Sequence, residues 1–514
     1  MWDEEPLPMN SGMERCISGC PYFGPEHRYL RLQRACRVAL HLVFAACVAA
    51  LLLTCDRLIA DDIRLLENDR SAIEARVQLI EQAEKSLDVT YYIVANDCLS
   101  ELFVDSLISA AQSGVCVRLI VDAMAQDIEP GSLSRLLAHG VHVREYHPVC
   151  VAKPQTWSRR MHDKVLIRDG IEMVVGSRNI EDAHFGISVV KRNYVDLDLY
   201  VSGPAVQHAC VYYECLWDSC EVADAQPSSG GLLLHRSVTA ETGKDSAVVA
   251  RHLSSPHRSS LYEVMNPEPC STRRLRLFDG SGDLRPEHEM LSAPAVSFVH
   301  DFNGKKSPRA GTTPVLYGIL DNAQESIVLQ SPYFIPQGEL GEILRRAACR
   351  GVSVHILTNS LNTTDQVLAY AEFSRVSGKY ANMGIHFWEF AGPQCLHAKS
   401  FVVDGHITCI TSFNFDSRSA RLNTELATIV DDEQFAGEVL EAMARNFANA
   451  DPQGSDGVRL MNSEAFAGVD PARIREFQIA RGLSTLTVVP GTRQVFTGTS
   501  RFLRGVARLI RRQL

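Results

Sequence analysis

The feature that most limits what this chain can fold into is that it contains itself twice. Four landmarks recur in the same order, about 240 residues apart. "AEKSLDVTYYI" from Ala83 matches "AQESIVLQSPYFI" from Ala323, and "SGVCVRLIV" from Ser113 matches "RGVSVHILT" from Arg350. "HGVHVREYHP" from His139 matches "MGIHFWEFAGP" from Met383. The last pair is "HDKVLIRDGIEMVVGSRN", from His162, and "HAKSFVVDGHITCITSFN", from His397.

Each copy reads as strand, helix, strand, helix, strand and then a hairpin. A helix over 73–83 carries Ile73, Val77 and Ile80 on one face, and one around Leu102 to Ala111 is apolar enough to pack between layers. Strands alternating with helices predict an α/β fold, here two like sandwich lobes over 65–225 and 312–450. The stretch 226–311, rich in Ser, Pro, Gly and charge, reads as an irregular connection between them. With 514 residues, 46% hydrophobic and 22% charged, the chain is long enough for two or three ordinary cores. A net charge of −10 argues against a protein that coats nucleic acid, and no nucleic-acid partner is expected. The 15 cysteines show no CxxC pair and no zinc spacing, and read as mostly reduced or buried thiols.

The chemistry is carried by the last landmark. Both copies run His-x-Lys, four residues, Asp, a glycine turn, and a second strand ending in Ser-x-Asn. The residues are His162, Lys164, Asp169, Ser177 and Asn179, then His397, Lys399, Asp404, Ser412 and Asn414. Strand alternation turns His162 and Lys164 to one face. Lobes packed about a pseudo-twofold axis would bring two histidines, two lysines and two asparagines together, with the site at the lobe interface. That set suits a phosphodiester. Lysine ammoniums neutralise its non-bridging oxygens without a metal or other cofactor, while serine and asparagine orient it. One imidazole attacks phosphorus, giving a phosphohistidine; the other protonates the departing alkoxide and then deprotonates the acceptor. Each histidine needs a carboxylate to hold its tautomer. Glu425 in "LNTEL" and Asp196 in "YVDLDL" are the candidates, since each precedes a Leu and a strand. Asp169 and Asp404 stand beside Gly170 and Gly405 and are assigned to gripping turn amides more than to proton transfer.

The chain ends point to a membrane. "VALHLVFAACVAALLLTC", Val38 to Cys55, is long enough to span a hydrocarbon core of about 30 Å. Arg28, Arg31, Arg34 and Arg37 before it, and Asp56, Asp61 and Asp62 after it, keep the amino terminus cytoplasmic. A start at Met13 would make the same run a signal peptide, and "LLTC" resembles a loose lipoprotein cleavage site. At the other end, within 451–514, "RFLRGVARLIRRQL" from Arg501 places Phe502, Leu503, Val506, Leu509, Ile510 and Leu514 on one helix face. Five arginines take the other face, as in a helix lying on an anionic bilayer.

The double motif resembles the phospholipase D superfamily, whose signature is His-x-Lys-x4-Asp-x6-Gly-Ser-x-Asn. The first copy matches throughout, including Gly176-Ser177; the second has Thr411 at the glycine position, which would narrow the pocket. The likeness covers roughly 70–450 and implies a duplicated α/β sandwich with one site between lobes. "QSPYFIP", "LHAKSFVVDG" and "FNFDSRSARLNTE" are similar to bacterial cardiolipin synthases, as are "YYIVANDCLS", "GSRNIED" and "DLDLYVSGPAV", particularly those of C type. This implies transfer of a phosphatidyl group between phospholipids at a bacterial inner membrane, with phosphatidylglycerol and possible phosphatidylethanolamine as substrates. A hydrolytic phospholipase D, a nuclease and a membrane scaffold with a relic site are the alternatives. The resemblance implies His162 as nucleophile; the residues themselves leave His162 and His397 interchangeable.

Overall fold

The computed structural model describes residues 60–148, 157–189, 191–226, 288–293, 295–301 and 311–452. The apolar run Val38 to Cys55, most of the connecting stretch and the basic segment Arg501 to Leu514 lie outside them. Among the described residues no helix is long and apolar enough to cross a membrane.

The first copy of the repeat opens with strand β1 (Asp61–Leu66), helix α1 (Asp69–Glu81), β2 (Ser86–Tyr91) and α2 (Cys98–Gln112). It continues through β3 (Cys116–Asp122), α3 (Pro130–Ala138) and β4 (His142–Tyr146) to the hairpin β5 (Lys164–Arg168) and β6 (Glu172–Gly176). After β7 (Tyr194–Val195) come β8 (Asp198–Ser202), α4 (Ala205–Trp217) and β9 (Val222–Asp224). Two strands, β10 (Leu291–Ala293) and β11 (Val296–His300), precede the second copy. That copy runs α5 (Thr312–Asn322), β12 (Ser326–Gln330), α6 (Gly338–Arg350), β13 (Ser353–Asn359), α7 (Val367–Ala381) and β14 (His386–Phe390). It closes with β15 (Cys395–Leu396), the hairpin β16 (Ser400–Val403) and β17 (Ile407–Thr411), α8 (Ser417–Arg421), β18 (Leu426–Asp431), α9 (Glu433–Phe447) and β19 (Ala450–Pro452).

The strands form a nine-stranded sheet, β10-β1-β8-β6-β5-β2-β3-β4-β9, and an eight-stranded sheet, β11-β18-β17-β16-β12-β13-β14-β19. In each, three strands joined by helices run parallel, β2-β3-β4 and β12-β13-β14, and the hairpin adds antiparallel to them. The connecting stretch is not wholly irregular, because β10 extends the first sheet beyond β1 and β11 extends the second beyond β18. The first sheet also starts earlier than expected, at Asp61. Neither short strand has enough length for period-2 alternation to show above a Ser- and Pro-rich background.

One apolar cluster, with Val165, Val175 and Leu199 from one sheet and Val328, Val402 and Ile410 from the other, joins the two halves together with α4 and α9. Each sheet's other face carries its own core, under α1, α2 and α3 in one case and α5, α6 and α7 in the other. Strands buried on both faces explain why Val-Leu-Ile and Phe-Val-Val run unbroken here. Burying both inner faces against one cluster leaves the loops at the strand ends to meet across the join. Two short contacts mark that place: the parallel pair β7–β15, and a lone bridge between Met161 and Thr424.

Candidate active site

Both hairpins turn through Asp-Gly. Asp169 and Gly170 have φ of 51° and 68°, Asp404 and Gly405 have 51° and 71°, positive values at both central positions of a tight turn, which Asp and Gly tolerate. Each aspartate also accepts three backbone amides at the start of the neighbouring parallel strand. Asp169 takes those of Glu84, Lys85 and Ser86, and Asp404 those of Gln324, Glu325 and Ser326, at 2.7–3.0 Å. Against the penalty of partial burial, these amides hold both carboxyls below their ordinary value. Asp169 lies past the far end of β5 from Lys164, about 16 Å away at strand rise. The aspartates clamp the hairpin in register; they are not within reach of the histidines.

At the near end of the hairpins the halves interlock with the same connectivity twice. The His162 amide donates to the carbonyl of Thr424 at 3.1 Å, and the His397 amide to that of Val195 at 2.7 Å. Those carbonyls immediately precede Glu425 and Asp196. The pairing is therefore crossed: His162 Nδ1 meets Glu425 Oε2 at 2.9 Å, and His397 Nδ1 meets Asp196 Oδ1 at 2.6 Å. Each histidine is oriented by the carboxylate of the opposite lobe, and both carboxylates are fully buried. With Nδ1–H committed to a carboxylate, Nε2 of each ring keeps its lone pair.

Lys164 and Lys399 each bond the backbone carbonyl of their own motif's histidine, at 2.6 and 2.5 Å. Burial pushes Lys164 down to about 7, helped by the nearby Lys399, and pushes Lys399 down to about 8. Both histidines are held well below 6.5, first by burial and then by lysine ammoniums. Burial would raise Asp196, but the His397 and His184 imidazoles outweigh it and keep it ionised well below its usual range. The site is thus suited to an anion: unprotonated imidazoles stand beside two buried lysines whose charge burial disfavours even with Asp196 and Glu425 nearby. Tyr92 closes the first half, its ring edge-on to His162 at 5.0 Å and under Lys164 at 5.2 Å.

The serines stand elsewhere than the sequence reading put them. Ser177 Oγ donates to Asp196 at 2.6 Å and Ser412 Oγ to Glu425, so each steadies a carboxylate instead of a phosphate. Thr411 does not narrow the pocket. Its hydroxyl donates to Leu426 O at 2.6 Å and it stands opposite Ala427 in the sheet. At the matching place, Gly176 stands opposite Asp198, whose Oδ1 would lie 2.2 Å from a Cβ on residue 176. Gly with Asp in one lobe and Thr with Ala in the other fill the same space. Asn179 is engaged, accepting from the Ile93 amide at 3.4 Å and meeting His184 Nε2 at 3.2 Å. Asn414 keeps its buried side-chain oxygen unpartnered. The sequence reading missed His184 and Tyr194, which stack at 4.4 Å beside His397; neither recurs in the second copy, so duplication gave no signal for them.

Among the described residues, His184, Asp196 and His397 bring ligand-type atoms within 4.8 Å of one another. The N–O separations of 2.7 and 2.6 Å are hydrogen-bond lengths. Two donors on one zinc at about 2.0–2.1 Å each would stand roughly 3.3 Å apart. These three residues fit shared protons better than a shared cation.

The profile of the cardiolipin synthase, PLD-like domain matches residues 77–213 and 316–448, one match on each copy of the repeat. The chain belongs to the phospholipase D superfamily, in its cardiolipin synthase-like branch. Cardiolipin synthase C of Escherichia coli is 30% identical over 408 residues, covering 72% of this chain and 81% of that protein. An uncharacterized protein of Helicobacter pylori is 28% identical over 411 residues, 73% of this chain and 77% of its own. Among solved structures, phosphatidylserine synthase of Haemophilus influenzae superposes with a TM-score of 0.53 at 14% identity, covering 82% of this chain and 93% of that one. At that identity the likeness is one of fold: the superfamily's duplicated α/β sandwich.

Proposed function

We propose that this superfamily member is a phosphatidyltransferase that makes cardiolipin from phospholipids through a phosphohistidine, at a bacterial inner membrane. The observation that carries the proposal is the crossed pairing of His162 with Glu425 and His397 with Asp196. It supplies two unprotonated Nε2 atoms from opposite lobes, each backed by a buried carboxylate, beside two lysines.

In the first step Nε2 of His162 forms a bond to phosphorus of a bound phosphatidylglycerol and the bond from phosphorus to the headgroup glycerol oxygen breaks. His397, protonated as the anion arrives, gives its proton to that oxygen. In the second step His397 takes the proton from the hydroxyl of another phosphatidylglycerol, whose oxygen bonds to phosphorus as the P–N bond breaks. Glu425 balances the positive charge on His162 while phosphorus is attached, and Asp196 does the same for His397. The lysines, restored to full charge by the phosphodiester, hold its non-bridging oxygens, with Asn414 as a further donor once its amide is turned. Transfer beats hydrolysis where the acceptor arrives from the bilayer and water does not. The apolar run Val38 to Cys55 and the five arginines within Arg501 to Leu514 support such an approach.

Purified full-length protein in micelles of phosphatidylglycerol, with products followed by mass spectrometry, tests this. Cardiolipin and free glycerol in equal amounts are expected. Phosphatidic acid without cardiolipin would make the enzyme a hydrolase, and inactivity on every phospholipid would end the reading.

A further inference from the structure

The two half-sites are not equal. On the second lobe, Glu425 is braced by hydroxyls and an amide: Ser412 Oγ, Ser419 Oγ at 2.7 Å and Asn423 Nδ2 at 3.4 Å. On the first lobe, Asp196 has Ser177 in the matching role, and its other oxygen, Oδ2, meets Nδ1 of His184 at 2.7 Å. His184 is buried, 2% exposed, in the short 3-10 turn Asp182–Phe185 that follows Asn179. Its Nε2 meets Asn179 Nδ2 at 3.2 Å. A buried, ionised Asp196 accepts, so His184 carries its proton on Nδ1 and Nε2 accepts from Asn179. The ring is clamped between partners: stacked on Tyr194 at 4.4 Å, edge-on to His397 at 4.7 Å, with Glu181 Oε2 at 3.9 Å and Lys191 bonded to Glu181. The backbone carbonyl of His184 accepts from Arg178 Nε at 3.1 Å.

We propose that His184 is a positioning residue that couples the Asn179 of one lobe to the His397 of the other through Asp196, and so gives the two histidines different working pKa values. This rests on the phosphohistidine reading above. A carboxylate that already accepts from a second imidazole is a weaker acceptor for the first. His184 therefore tempers the pull of Asp196 on His397, while Glu425 draws on His162 as it accepts from Ser412, Ser419 and Asn423. The tempered histidine loses its proton more readily, which is what an acid that must become a base in the next step requires. The His397 pair thereby turns over protons while the His162 pair holds the charge of the covalent intermediate.

Three variants test it. His184→Phe keeps the ring on Tyr194 and removes the hydrogen bond. His184→Asn keeps a donor where Nδ1 stands, and His184→Gln carries its donor one carbon too far. Turnover of phosphatidylglycerol should fall about 10–100-fold in the Phe variant, the range for partners behind a functional histidine, with KM little changed. Asn should recover most of it and Gln little. In protein labelled with 15N-histidine, without substrate, the titration of His397 should move up by about one pH unit in Phe and Gln but not in Asn, one unit being the lower end for losing a hydrogen bond to a charged group. An unshifted His397 titration, or Asn no better than Gln in turnover, overturns the proposal. If the Phe chain fails to fold, the Asn–Gln comparison decides alone. Since the titration needs no lipid, inactivity on phospholipids would sink the functional reading while leaving the role of His184 to be read from the spectra.

Discussion

Glu425→Gln removes one charge and almost no volume. In the native protein Glu425 Oε2 lies 2.9 Å from His162 Nδ1, in a place with no solvent contact. His162 is held unprotonated before substrate arrives, so the carboxylate has little charge to stabilise at rest. Its work begins when the ring bonds phosphorus and becomes positive. Two unit charges about 4 Å apart at an effective dielectric of about 20 attract by ~4 kcal/mol. Losing that in the transition state alone slows turnover about 10^3-fold. A Gln amide also places a donor among Ser412, Ser419, Asn423 and His162, four groups that all donate now. A flipped tautomer would deepen the loss toward the ~10^4-fold seen for an equivalent acid-to-amide change in a serine–histidine–acid triad. The assay is single-turnover cardiolipin formation, with thermal melting to confirm folding and equilibrium binding of a phosphodiester lipid as control. A folded variant within tenfold of wild-type turnover would refute the claim that Glu425 serves His162 across the lobes. In a cycle with His162→Ala the two losses should overlap almost completely.

Three other outcomes follow from the same geometry. Binding of a phosphodiester anion should draw protons from solution, because Lys164 at about 7 and Lys399 at about 8 are part-neutral in the free protein; the lysine contribution, read by calorimetry in buffers of different ionisation enthalpy, should be larger at pH 8 than at pH 6, and smaller in Lys164→Ala. Gly176→Ala sets a Cβ 2.2 Å from Asp198 Oδ1 and 2.6 Å from its Cα, an overpacking of ~1–3 kcal/mol that should lower the melting temperature, whereas Thr411→Ala should lose only the bonds of a hydroxyl. Chelation of divalent metals should leave turnover unchanged, since lysines and imidazoles perform the charge neutralisation; loss of activity reversed by added zinc would point instead to the His184, Asp196 and His397 grouping.

Much of the fold and the site could be read from residues because duplication doubles each signal. The two helix–strand runs, the Asp-Gly turns and both His-x-Lys pairs recur, and Asp196 with Glu425 stood out by position alone. What the sequence could not give is which carboxylate serves which histidine. That depends on the sheets meeting through a shared cluster in which no residue announces its partner; the backbone bonds from His162 to Thr424 and from His397 to Val195 set up the exchange. A hydroxyl beside a motif histidine can serve a phosphate or a carboxylate equally well in one dimension, and the bonds of Ser177 to Asp196 and of Ser412 to Glu425 come only with the fold. Strands β10 and β11 escaped notice since each is added to a sheet by pairing, not by an alternating pattern of its own. His184 was invisible for the opposite reason: it breaks the repeat.

The most direct measurement is to look for the covalent bond to phosphorus. Wild-type protein, quenched with base within the first turnovers on short-chain phosphatidylglycerol and digested, should yield one phosphatidylated peptide, modified at His162; His397→Ala should both form and clear it slowly, having lost the acid of the first step and the base of the second. Adducts on neither imidazole in the mutant and the wild type, alongside continuing lipid turnover, would contradict catalysis by two histidines on one phosphorus.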